Sequence, residues 1–136
     1  MLAVRVKAKI VNEKAGRTVE TTVLLNTGYE APTPRILLPE RLAEKLDIAL
    51  GGEEVEAKTS LGSGRLYAPN LKILIEVEGR RAEAEVRISK AENEAVINDA
   101  LIEALGLEII KPKEGIYRFI GEPPETKRKT VKPEYW

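Results

Sequence analysis

The stretch "TTVLLNTGYEAPTPRILLPERLAEKLDI", residues 21–48, decides how the rest of the chain is read. It opens as an apolar strand at Val23-Leu24-Leu25 and runs directly into Asn26-Thr27-Gly28. β-Branched and aliphatic side chains favour the extended run, and a small polar triad after it predicts a turn. Pro32 and Pro34 enforce an irregular loop, since proline gives no backbone donor and keeps the residue before it out of a helix. A short apolar strand returns at Ile36-Leu37-Leu38. Pro39 then suits the first turn of a helix whose inner face is Leu42, Ala43 and Leu46.

Outward from this stretch the pattern is mostly β. Residues 3–11 alternate Ala3, Arg5, Lys7 and Lys9 with Val4, Val6, Ala8 and Ile10, the period of a half-buried strand. "NEKAG" (12–16) is a turn signal, so residues 17–25 are its hairpin partner. "EEVEAKTS" and "RLYAPNLKILIEV" flank "LGSG" (61–64), a hairpin apex, and "VEGRRAEAEVRIS" turns again at Glu78-Gly79. "AVINDALIEALGLEII" reads as an apolar strand entering a short helix, capped by Asn98 or Asp99 and stopped at Gly106. "GIYRFIG" is one further strand. The expected organisation is one domain over 1–121 and a charged, Pro-rich tail over 122–136 that lies outside the core.

Composition removes most kinds of chemistry. The chain of 136 residues has no Cys and no His, which excludes thiolate catalysis, disulfides, imidazole proton transfer and His or Cys metal ligation. Acid–base work would fall to carboxylates, Lys or Tyr, and Asp occurs only at Asp47 and Asp99. With 22 basic and 22 acidic residues the net charge is zero, so no global field draws nucleic acid. "TKRKTVKPEYW" mixes bases and aromatics but reads as a disordered tail on that balance. No long apolar span or signal peptide is read, and the expectation is a soluble, cytoplasmic protein. The lack of Gln, the single Met and the abundance of Glu, Lys and Arg point to a thermophilic source.

The order of motifs resembles the retropepsin-like aspartic proteases, the single-domain relatives of retroviral proteases. "VLLNTG" stands where that family carries strand-Asp-Thr-Gly, "LLPERLAEKLDI" matches its following strand and helix, and "VINDALIEALGL" matches its late strand and helix. The resemblance covers roughly residues 3–120. It implies a small acid-protease-like β-barrel with a flap hairpin and two short helices. It also implies a homodimer in which two triads meet, with the first strand and "GIYRFIG" helping to form the interface. An extended peptide or unfolded protein would be the substrate, and no metal or cofactor would be needed.

On that resemblance Asn26, Thr27 and Gly28 occupy the catalytic position. Tyr29, Glu30, Leu61, Gly62, Ser63, Gly64 and Tyr67 are the residues expected near the peptide. Tyr67 reads equally as a half-buried strand aromatic, and Glu30 is the nearby carboxylate. The chain departs from the family at Asn26, where the catalytic Asp belongs, and at Asn98, where Gly is usual. Asn at 98 is a mild change, because Asn tolerates left-handed backbone. Asn26 is not mild: an amide neither takes nor releases a proton near neutral pH. Intact surroundings fit a native loss as well as an introduced change. The expectation is a retropepsin-like endopeptidase domain that does not hydrolyse peptides as written, or a non-catalytic peptide-binding or dimerisation module on the same fold.

Overall fold

Alternation builds the first hairpin. The computed structural model describes residues 3–59 and 62–136. Strand β1 (Arg5–Asn12) turns Val6, Ala8 and Ile10 inward and exposes Lys7 and Lys9. It pairs antiparallel with β2 (Arg17–Leu25), from Arg5 opposite Leu24 to Asn12 opposite Arg17. The end of β2 lies parallel to β8 (Ala95–Ile97), with Leu25 opposite Ile97. Next to β8 runs β3 (Arg35–Pro39), antiparallel, and β3 is parallel to β7 (Arg80–Ser89). Strand β7 pairs with β6 (Lys72–Val77), and β6 returns to β1. These pairings close a six-stranded barrel, so β1 is paired along both edges over part of its length.

The barrel interior is aliphatic. Ile10, Ile36, Leu38, Ile75, Ile88 and Ile97 are fully buried, each contributing about 1.5–3 kcal/mol by removal from water. Helices α1 (Glu40–Lys45) and α2 (Asp99–Ala104) add Leu42 and Leu101 to the same core, and their C-caps add Leu46 and Leu105. Pro39 precedes α1 as its N-cap, with extended φ −58° and ψ 148°, rather than lying in its first turn. The helix stops at Asp47, which takes the left-handed φ of 56° that Asp accepts more readily than most residues. The turn between β6 and β7 has φ of 49° at Glu78 and 79° at Gly79, the paired positive values of a tight two-residue hairpin.

A further hairpin, β4 (Glu53–Thr59) with β5 (Gly62–Ala68), extends from β7 through Tyr67 opposite Ile88. Beyond α2, β9 (Leu107–Lys111), β10 (Ile116–Phe119) and β11 (Arg128–Lys129) form a separate three-stranded sheet. The segment 122–136, expected as a tail outside the core, is instead tied to the barrel along its length. Val131 N donates to Arg5 O, Glu134 N to Thr22 Oγ1 and Trp136 N to Asn93 O. Trp136 packs against the main core and its Nε1 donates to Thr21 Oγ1 at 3.1 Å. Hydrogen bonding, which a charged and Pro-rich composition does not reveal, holds this strap more than apolar burial does. Among the described residues no helix is long and apolar enough to cross a membrane.

Candidate functional site

Strands β2 and β8 end side by side, and their ends set the site. Asn26 N donates to Ile97 O at 3.1 Å, so the polar triad begins where β8 passes into α2. The triad folds into a turn in which Tyr29 N donates to Asn26 O at 3.1 Å. Gly28 N donates to Asn26 Oδ1 at 3.0 Å, an Asx turn. Only an oxygen can accept that bond, so the orientation of the amide is fixed and its NH2 end is the donor. An Asp would make the same bond. That one bond is therefore open to either residue at 26, and the two differ in proton chemistry.

The loop after the triad is held to α2 by Asn98, whose side chain is fully buried. Its Oδ1 accepts from Arg35 N at 2.9 Å and Leu101 N at 3.0 Å, and its Nδ2 donates to Thr33 O at 2.9 Å. Asn98 is thus the cap of α2, while Asp99 accepts from Ala31 N and Ala100 N. Its φ of −86° is extended, so the left-handed tolerance of Asn is not what admits it here. It is retained by three hydrogen bonds from its side chain that Gly would lack.

Tyr29 is buried in a small apolar cluster with Leu37, Leu66 and Val96, with Leu24 and Val55 packed against it. This cluster is distinct from the barrel core, since Ile36 and Leu38 on either side of Leu37 point inward. It joins the triad loop to the β4–β5 hairpin through Leu66 and its cross-strand neighbour Val55. Tyr67, the next residue along β5, packs against the barrel core instead, with the Lys90 ammonium 5.8 Å from its ring. It is a half-buried strand aromatic. Gly62, Ser63 and Gly64 lie in β5, paired with Thr59, Lys58 and Ala57. Leu61 lies outside the described residues. Glu30 is exposed beside buried Tyr29.

Charge beside the cluster centres on Glu85, a group the sequence reading did not single out. Thr33 Oγ1 donates to Glu85 Oε1 at 2.6 Å and Arg35 Nε donates to the same oxygen at 3.1 Å, with Arg87 nearby. The Thr33 bond first, and then Arg35 and Arg87, hold the Glu85 carboxyl below its usual range against a smaller opposing effect of burial. Burial pushes the Tyr29 phenol up, and Arg35 and Arg87 oppose it. Alternation along β3 and β7 explains the grouping, because Arg35 lies opposite Glu85 and Leu37 opposite Arg87.

On its other side the triad opens on a recess of about 330 Å³. Ala3, Val4 and Leu25 form one part of its lining, together with Asn26 and Thr27. Strand β9 contributes Ile109 to the remaining lining, and the turn after it contributes Pro112 and Lys113. Nothing in the sequence announced Ile109 and Lys113 as neighbours of Asn26, because more than eighty residues separate them. Among the described residues no group of acidic, His or Cys side chains could hold a metal ion. Compared with known proteins, the chain matches no protein-family model and no curated protein.

Proposed function

We propose that this chain is a homodimeric domain of the retropepsin-like aspartic endopeptidase type that binds extended peptide and, with Asn26 in place of an acid, does not hydrolyse it. The reading rests on one observation: the Asx turn of Asn26-Thr27-Gly28 ends β2 beside the end of β8, and the β4–β5 hairpin docks on the same loop through Tyr29 and Leu66. A peptide placed between that turn and the hairpin acting as a flap would meet the polar triad on one side and a strand on the other. Strand β4 ends the strand order of its sheet and offers backbone groups for β-addition.

Hydrolysis in such a site uses two carboxylates that share a proton, one activating water and the other protonating the scissile carbonyl. Both copies of a homodimer carry Asn26, so neither half supplies the acid. Loss of acid–base assistance alone costs on the order of 10²- to 10⁴-fold, and water activation is lost with it. The Gly28 N–Asn26 Oδ1 bond also favours a second reading, a peptide-binding module in which Asn26 is simply a turn residue.

Replacing Asn26 with Asp separates the two. In the first reading Asn26→Asp cleaves an unfolded protein at acidic to neutral pH, pepstatin blocks it, and sedimentation gives a dimer. An inert but dimeric Asn26→Asp leaves the binding module. A monomer at micromolar concentration removes both, because the composite site would not form.

A further inference from the structure

We infer that a second recess, on the outer face of the barrel, binds a small phosphate ester. Its lining includes no residue of the Asn26 turn, and the inference does not depend on the peptide reading. The space is about 560 Å³, the size of a small-molecule site. Three cations from three elements line it: Lys14 in the β1–β2 turn, Lys72 at the start of β6 and Arg87 in β7. Ile73 after Lys72, and Val86 and Ile88 on either side of Arg87, are buried in the barrel core, so strand alternation turns the two cations outward. Asn70, Pro69 and Leu71, in the link from β5 to β6, add an amide and an apolar wall.

These cations are incompletely matched within the protein. Lys14 and Lys72 make no ion pair or hydrogen bond with the described residues. The Arg87 side chain is only 16% exposed, yet its Nη2 stands 3.9 Å from Glu85 Oε1, too far for a hydrogen bond. Its Nη1 donates to Val86 O at 2.9 Å, and a guanidinium has five donors, so others remain for a ligand. No buried side-chain nitrogen among the described residues lacks a partner, so those remaining donors reach solvent. Glu85 is the one carboxylate among the described lining residues, and Thr33 and Arg35 both donate to its Oε1. Arg35 thus offsets the one acid and leaves a local excess of positive charge in a chain of zero net charge. A phosphate monoester carries about two negative charges near neutral pH, which this excess matches better than a single carboxylate does. The guanidinium fork suits two phosphate oxygens, and the lysines add point charges. No aromatic side chain among the described residues lines the recess, so a nucleobase would find no ring to stack on, and a small polyol phosphate fits better.

The probes are ribose 5-phosphate and ribose, titrated by calorimetry and by amide NMR shifts. Ribose 5-phosphate binds about a hundredfold more tightly, the range expected when charged hydrogen bonds are present in one form only. Its shifts fall at Asn70, Lys72 and Arg87 rather than at Thr27 and Gly28. Lys14→Gln and Lys72→Gln, both at exposed side chains, each weaken binding about three- to tenfold and leave the urea midpoint unchanged. Arg87→Lys keeps the charge but not the fork and weakens binding about tenfold, with its fold checked by the same urea midpoint. Lys113→Gln removes the same charge outside this recess and leaves the affinity as it was. A loss in Lys113→Gln equal to that in Lys72→Gln would mean diffuse attraction and overturns the inference. So does sulfate binding as tightly as ribose 5-phosphate, or no shift with ribose 5-phosphate at about 10 mM. AMP binding more than about tenfold tighter than ribose 5-phosphate would mean that a base is recognised, which overturns the assigned class. A phosphoserine peptide with the same advantage would assign the recess to a protein partner and overturn it as well.

Discussion

Asn98 and Arg35 exchange two hydrogen bonds: Arg35 N donates to Asn98 Oδ1 at 2.9 Å and Asn98 N donates to Arg35 O at 3.2 Å. With the further bonds to Thr33 O and Leu101 N, one buried amide fastens the triad loop to α2. Asn98→Ala loses a helix cap and leaves buried backbone groups unpartnered, for a loss of about 2–4 kcal/mol. Urea unfolding measures it. Asn93→Ala, at an exposed side chain, stays within about 0.5 kcal/mol of the parent. A comparable small effect at 98 would show that water replaces the amide's bonds.

Gly115 ties the C-terminal strap to the start of the chain. Its φ is 76°, and a Cβ there would lie 2.5 Å from Thr130 Cγ2. Its carbonyl accepts from Thr130 N at 2.8 Å, next to the Arg5 N bond to Thr130 Oγ1 at 2.7 Å. Gly115→Ala combines left-handed strain with a clash and destabilises by about 1–3 kcal/mol. It also loosens the strap, which Trp136, the single tryptophan, reports as a red shift in emission. Adding Thr130→Ser keeps the hydroxyl and removes the clashing methyl, so part of the stability returns. No recovery in the double variant would place the cost in the backbone and in the remaining approach to Thr130 Cβ, 2.9 Å away.

The main barrel was legible because its signal is local. The alternation of residues 3–11, the apolar run into Asn26 and the Glu78-Gly79 turn each specify their own conformation within a few residues. What was hidden depends on distance in space. Asn98 looks like a mild substitution in sequence, yet its role comes from Thr33 and Arg35, which only the closed barrel brings near. Lys113 joins the Asn26 recess by the same route. The segment 122–136 has the composition of a solvated tail, but Thr130, Glu134 and Trp136 find partners on β1 and β2. Polar pairing of that kind has no periodicity to read.

Glu122 gives the strap a dependence on acid. Its carboxylate accepts two bonds from Arg128, the shorter at 2.8 Å, and one from Phe119 N at 2.7 Å. The Arg128 hydrogen bonds first, and then the Phe119 backbone bond, lower its pKa to about 2. A depressed folded-state value means that the contribution is present above the unfolded pKa, near 4.5, and is lost as pH falls from there to about 2. Carboxyl NMR titration places Glu122 at the low end of the glutamates. Glu122→Gln flattens the acid dependence of stability across that window and leaves stability near pH 7 lower than in the parent. An ordinary glutamate titration at 122 would remove the link.

The last test concerns the junction on which the site depends, Tyr29 beneath the β4–β5 hairpin. Tyr29 is 3% exposed and Leu66 6% exposed, in one cluster separate from the barrel core. Removing either side chain opens a cavity, at about 3–5 kcal/mol for Tyr29→Ala and 2–5 for Leu66→Ala. Because the same space is vacated, the double variant loses less than the sum, with a coupling of about 0.5–3 kcal/mol by a double-mutant cycle. Tyr29→Phe keeps the ring and separates packing from the phenol's electrostatic interaction with Arg35, so it retains most of the coupling. Hydrogen exchange gives an independent reading: Leu66→Ala speeds exchange in β4 and β5 and also at Tyr29 N, whose partner is Asn26 O. Coupling below about 0.3 kcal/mol, within ordinary additivity, would mean that the hairpin does not rest on the triad loop. The geometry for holding a peptide between them would then lose its support.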